Sequence, residues 1–244
     1  MCEKYLSRWL KIKIIKQTPS MSKICPSILC ADMLHLEDEI NCLKAEGINL
    51  LHIDIMDGHF VPRIELGQQF LRACATTGMT MDVHLMVDNP REQIAHLAPF
   101  SDILTFHYEA TSNADECIEL AKLINSFGKK AGIAIKPKTD ISVLEPLLEY
   151  FNHFLVMSVE PGLAGQTFLP ETLGKLKDLN EMLGKRKRGN FTIQIDGGIN
   201  ASTLPLVADF VDLAVVGSAL FNKSGEDRKS FIRELDTIFN NANR

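Results

Sequence analysis

From Lys23 onward, short apolar runs alternate with stretches of helical periodicity, and the pair repeats eight times. Strands are predicted at 24–29, 50–55, 80–86, 102–107, 131–136, 153–159, 191–195 and 212–216. Helices are predicted near 33–46, 67–77, 90–98, 113–127, 141–149, 170–184, 201–208 and 226–240, several opened by capping residues such as Thr111-Ser112-Asn113, Ser202 and Ser224. Strand then helix, eight times over, predicts an α/β chain folded as a single-domain (β/α)8 TIM barrel. An open doubly wound sheet would show the same alternation but gathers its ligand at one switch point. Here polar residues end many strands: Ser27, His52 and Asp54, His84, His107 and Glu109, Ser158, Asp196, and Gly217-Ser218. That is the rim on which a closed barrel assembles a site.

A chain of 244 residues with 45% apolar composition can bury one large core, so one domain over 21–244 is expected. Residues 1–20 are basic and precede a second methionine, Met21; they read as an extension outside the fold. A net charge of −5 and a pI near 5.8 argue against a nucleic-acid or membrane partner. The short basic run Lys185-Arg186-Lys187-Arg188 reads as a solvated helix end. Six cysteines (Cys2, Cys25, Cys30, Cys42, Cys74, Cys117) form no C-x-x-C pair and read as reduced thiols, which together with the lack of an apolar span or secretory leader predicts a cytoplasmic protein.

On a strand, positions i and i+2 share a face, so His52, Asp54 and Met56 project together, as do His84 and Met86 within Asp82-Val83-His84-Leu85-Met86. A single histidine on an apolar strand is ordinarily a hydrogen-bonded core residue. Two imidazoles (His52, His84) and two carboxylates (Asp54, Asp196) converging at one barrel mouth instead predict a site for one divalent metal ion. The donor set suits Zn, Mn, Fe or Co and does not choose among them.

Glycine lets backbone N–H groups approach an anion closely. The segments Pro161-Gly162-Leu163-Ala164-Gly165-Gln166, Asp196-Gly197-Gly198 and Gly217-Ser218 follow predicted strands six, seven and eight, and read as a phosphate cradle. A metal, two carboxylates and a phosphate grip together suit proton abstraction beside the carbonyl of a phosphorylated ketose, passing through an enediolate that the metal stabilises. With Asp54 and Asp196 on opposite faces of that planar species, one removes a proton, the other returns one, and the stereocentre inverts. Met56, Met86 and Met157 lie near the same strand ends and read as pocket lining, either as an apolar ceiling or as core filler.

These residues resemble the ribulose-phosphate 3-epimerase family from about Ile24 to Phe221, through Pro26-Ser27-Ile28-Leu29-Cys30-Ala31-Asp32, the stretch from His52 to Pro62, Asp82-Val83-His84-Leu85-Met86-Val87, Met157-Ser158-Val159, Asp196-Gly197-Gly198-Ile199 and Gly217-Ser218-Ala219-Leu220-Phe221. The resemblance implies a TIM barrel and an isomerase of the pentose phosphate pathway interconverting D-ribulose 5-phosphate and D-xylulose 5-phosphate. It implies His52, Asp54, His84 and Asp196 as metal ligands, with Asp54 the proton acceptor and Asp196 the donor. It also implies that Ser27 and His84 touch the sugar, that Gly162, Leu163, Ala164, Gly165, Gly197, Gly198, Gly217 and Ser218 line the substrate and phosphate site, and that the enzyme is a homo-oligomer.

Departures from the family pattern fall where substrate would be felt. Arg63 and Glu160 stand where asparagine is usual, Leu163-Ala164 replaces Phe-Gly, and Lys136-Pro137-Lys138 replaces Asn-Pro-Ala. Glu160 with Ala164-Gly165-Gln166 is similar to allulose-6-phosphate 3-epimerases, so a hexulose phosphate is the alternative substrate. A non-catalytic sugar-phosphate-binding barrel is a further alternative. Barrel decarboxylases and aldolases would want a lysine among the acids, and 54–57 holds none.

Overall fold

The computed structural model of the protein describes residues 23–184 and 190–242. The expectations placed on residues 1–20 and on the basic run 185–188 lie outside the described residues.

The strands are β1 (Ile24–Pro26), β2 (Leu50–Asp57), β3 (Ile64–Glu65), β4 (Thr80–Met86), β5 (Ile103–His107), β6 (Lys130–Ile135), β7 (His153–Met157), β8 (Thr192–Asp196) and β9 (Leu213–Val216). The helices are α1 (Leu36–Ala45), α2 (Gln68–Ala75), α3 (Pro90–Leu97), α4 (Ala114–Ser126), α5 (Thr172–Leu183), α6 (Leu204–Val207), α7 (Ser218–Phe221) and α8 (Gly225–Asn241). Neighbours run β1-β9-β8-β7-β6-β5-β4-β2-β3, parallel throughout except for the antiparallel β2–β3 pair. A parallel bridge between Ser27 and His52 joins β1 to β2, so the eight parallel strands close on themselves as the expected TIM barrel.

Alternation along the strands divides the core in two. Leu51, Ile53 and Ile55 of β2 face outward and join a large apolar cluster with Leu43, Leu71, Leu104, Phe154 and Leu235, packed between barrel and helices. Leu50, His52, Asp54 and Met56 take the opposite face and point inward. Within the barrel the apolar groups fall into small separate clusters, such as Cys25 with Leu50, Leu213 and Val215, because fully buried polar residues occupy the middle: His52, Asp82, His84, Thr105, His107, His153 and Gln194.

Local structure departs from the sequence reading in five places. Only Ile24–Pro26 of the first predicted strand is extended, and Ile28–Cys30 forms a 3-10 turn. The predicted helix at 141–149 is a 3-10 segment, Ile141–Leu147, because Pro146 within it lacks the N–H an α-helix needs. The helix expected at 201–208 shortens to α6, and Thr203, not Ser202, takes its N-cap position. β3 and α7, two and four residues long, carry too little periodicity to be read. Asn113 caps α4 as expected, its side chain accepting from the Glu116 N–H at 3.0 Å.

Candidate active site

A cavity of about 260 Å³ opens at the C-terminal end of the barrel. Its wall includes Ser27, Asp54, Met56, Met86, Met157, Gly162, Leu163, Ala164, Gly165, Asp196, Gly197, Gly198, Gly217 and Ser218, all read from the sequence as site residues. His52 and His84 are fully buried beneath it. His84, read also as a sugar contact, does not belong to the cavity wall.

The four expected metal ligands come together. One donor atom from each of His52, Asp54, His84 and Asp196 lies within 4.8 Å of the other three. Paired register between β2 and β4 sets Asp54 beside His84, and Asp196 ends β8 on the far side of the barrel. The imidazoles turn opposite nitrogens inward. His52 Nε2 stands 3.3 Å from Asp54 Oδ1 and 3.8 Å from Asp196 Oδ2, while His84 Nδ1 stands 3.0 Å and 3.9 Å from the same two atoms.

Partners below fix the His52 ring. Asp82 Oδ2 accepts from His52 Nδ1 at 2.8 Å and from Gln194 Nε2 at 2.6 Å, and lies 3.5 Å from the Cys25 thiol. A carboxylate holding the Nδ1 proton leaves Nε2 for a ligand. Nε2 is buried and makes no hydrogen bond, an orphan that a cation would satisfy. Burial works against a charged His52, but Asp54 and Asp82 on either side outweigh it and hold its pKa well above the histidine norm. Burial likewise opposes the Asp54 charge, yet His52 and His84 hold that carboxyl far below the usual range. Asp196 goes the other way: burial and the Asp54 charge push it up to about 6 against the pull of His52.

Among the described residues, the cavity wall carries three carboxylates, Asp54, Glu160 and Asp196, and no lysine or arginine. Two imidazoles and two carboxylates under such a wall fit a divalent cation, by donor type and by the orphaned nitrogen.

The glycine segments shape the rest of the wall. Gly197 and Gly198 adopt φ of +120° and +65°, and a Cβ on Gly198 would stand 2.5 Å from the Phe168 backbone nitrogen. The Ser158 hydroxyl donates to the Asp196 and Gly197 carbonyls at 2.9 and 2.6 Å, pinning the turn that carries Asp196. Gln166 Nε2 donates to the carbonyls of Glu160 and Leu163 at 2.6 and 2.8 Å and so folds the loop after β7 onto itself. Glu160, Leu163 and Ala164 line the cavity, whereas Arg63 and Lys138 are exposed and off its wall.

A family model described as the ribulose-phosphate 3 epimerase family matches residues 23–221. The chain belongs to the ribulose-phosphate 3-epimerase family. "Ribulose-phosphate 3-epimerase" of Bacillus subtilis is 38% identical over 88% of this chain and 98% of its own length. The Mycobacterium bovis protein of the same name is 42% identical over 81% of this chain and 85% of its own. Among solved structures, 3-hexulose-6-phosphate synthase from Salmonella typhimurium superimposes with a TM-score of 0.56 at 19% identity, covering 89% of this chain and 98% of that one, a likeness of fold. Membership of the 3-epimerase family makes the protein an isomerase, as expected.

Sequence reasoning passed over part of this family member's site. Asp82 shares a face with His84, one layer deeper, and the i, i+2 spacing that singled out His84 marks it equally. His107 and Glu109 were legible as polar strand-end residues, but the contact of His107 with His84 depends on β4–β5 pairing. Asn222 lines the cavity with no local signal to mark it.

Proposed function

We propose that the protein interconverts D-ribulose 5-phosphate and D-xylulose 5-phosphate by metal-assisted, two-base proton transfer at C3. One observation carries the reading: Asp54 and Asp196, from strands 142 positions apart in sequence, bring carboxylate oxygens within 4.8 Å of each other and of two imidazoles at the floor of one cavity.

His52, Asp54, His84 and Asp196 would hold the ion, one of Zn, Mn, Fe or Co. When bound, it supplies the Lewis-acid charge that stabilises an enediolate's oxygens. Asp54, accepting from the Ser27 hydroxyl at 2.9 Å, takes the C3 proton. Asp196, whose carboxylate approaches from the opposite side of the same cluster, delivers one to the other face. Met56, Met86 and Met157 exclude water above the reacting carbon. Backbone N–H groups along Gly197, Gly198, Gly217 and Ser218, with the Ser218 hydroxyl, grip the phosphate, since that wall offers no cationic side chain.

A hexulose phosphate is the second reading, favoured by the presence of Glu160 and Ala164 on the cavity wall. The same metal-loaded sample should be assayed with ribulose 5-phosphate and allulose 6-phosphate in deuterated buffer. A higher kcat/KM for the pentulose, with label entering C3, is expected; a higher value for the hexulose transfers the assignment, and binding without label uptake leaves only a sugar-phosphate-binding barrel.

A further inference from the structure

His84 is held from behind by two residues that the reaction scheme does not use. Its Nε2 lies 2.9 Å from His107 Nε2, and His107 Nδ1 lies 3.0 Å from Glu109 Oε2. Both rings are fully buried. The other Glu109 oxygen accepts from the Lys136 N–H at 2.7 Å and from the Thr139 hydroxyl. Phe60 covers His107 with ring centroids 4.8 Å apart, and the Lys136 ammonium sits 3.9 Å above the Phe60 ring.

Two ring nitrogens at this separation share one proton, so the tautomer of one ring dictates the tautomer of the other. Glu109, accepting backbone and hydroxyl donors on one oxygen, is a carboxylate with its second oxygen free to accept only from His107 Nδ1–H. His107 is then left with a lone pair at Nε2, which accepts from His84 Nε2–H. His84 Nδ1 is thereby the nitrogen left to face Asp54 and Asp196. The order runs from a loop carboxylate, through one imidazole, to the atom that meets the ion.

We propose that His107 and Glu109 are positioning residues for the metal, fixing the His84 tautomer so that its Nδ1 lone pair points into the site. This rests on the metal-binding reading above. Glu109→Gln is the informative change. With the amide oxygen still taken by the Lys136 N–H and Thr139, the amide N–H₂ faces His107 Nδ1, reverses both tautomers and moves a proton onto His84 Nδ1.

The test is titration of metal-free parent, E109Q and E109D with Co²⁺, read by calorimetry and visible absorption. E109Q should bind roughly 10- to 100-fold more weakly than the parent, the usual range for a lost outer-shell partner, and E109D, which keeps the charge, should recover part of the loss. Equal affinity in parent and E109Q would overturn the proposal. Imidazole ¹⁵N shifts of the zinc-loaded parent give a second reading that needs no variant to fold: His107 protonated at Nδ1 and bare at Nε2 is expected, and the reverse overturns the relay. A parent that binds no Co²⁺ defeats the metal reading itself, and the His107 tautomer, measured then without zinc, still decides the relay.

Discussion

The Ser27 hydroxyl donates to Asp54 Oδ2 at 2.9 Å across the seam where β1 meets β2 and the barrel closes. Closure of the fold and orientation of a buried carboxylate thus depend on the same residue. The bond spans 27 positions of sequence and exists only because the Ser27–His52 bridge brings the first two strands edge to edge.

Replacing Ser27 by alanine removes a hydrogen bond to a charged group, worth about 1.5–3 kcal/mol. If all of it supports the reacting geometry, kcat/KM falls roughly 10- to 100-fold. Steady-state kinetics with thermal unfolding would separate this from loss of fold, and an unchanged kcat/KM would remove Ser27 from the account.

Gly198→Ala forces a side chain into φ +65° and a Cβ to within 2.5 Å of the Phe168 nitrogen. Backbone strain of about 1–3 kcal/mol is expected, together with displacement of the turn assigned to the phosphate. The melting temperature should fall and KM should rise; a variant with both unchanged would show that the glycine shapes nothing the substrate uses.

Gln166→Ala frees the loop from Glu160 to Leu163 by deleting the two hydrogen bonds from the amide to its carbonyls. Because this loop forms a wall and holds none of the four candidate ligands, KM should rise by about tenfold, taking some 1.4 kcal/mol of lost positioning, with kcat nearly unchanged. A fall in kcat alone would contradict the wall assignment.

His153 is buried inside the barrel, donates toward Gln194 Oε1 at 2.7 Å, and faces Asp82, Lys130 and His52. Burial pushes its pKa down to about 4, against the attraction of Asp82. The unfolded chain, titrating near 6.5, binds the proton more readily, so this group's contribution to stability is complete above pH 6.5 and drains away as pH falls toward 4. Comparing melting temperatures of the parent and His153→Gln from pH 7 to pH 4.5 isolates it. The parent should lose stability more steeply than the variant, and parallel curves would contradict a neutral buried imidazole.

Much of this was legible in the sequence, for identifiable reasons. Parallel barrel strands buried on both faces read as apolar runs, and the inward polar exceptions, His52, Asp54, His84 and Asp196, stood out against them. Spacing also predicted that Asp54 and His52 share a face. It could not say which nitrogen of each ring turns inward, because that is set by cross-strand partners: Asp82 behind His52, and His107 behind His84. Nor could it separate loop charges that line the cavity from those that do not; Glu160 does, while Arg63 and Lys138 are exposed and off its wall. β3 stayed hidden because two residues cannot display a period.

The central claim is that Asp54 and Asp196 act as paired bases across one sugar-derived anion, and it is tested most directly by assaying Asp54→Asn and Asp196→Asn separately. Each variant, loaded with metal to a measured content, would be incubated with ribulose 5-phosphate in deuterated water while xylulose 5-phosphate and label at C3 are followed. Both should lose net epimerisation by about a thousandfold, within the span expected for a missing acid or base. Either one converting substrate within tenfold of the parent rate would contradict the account.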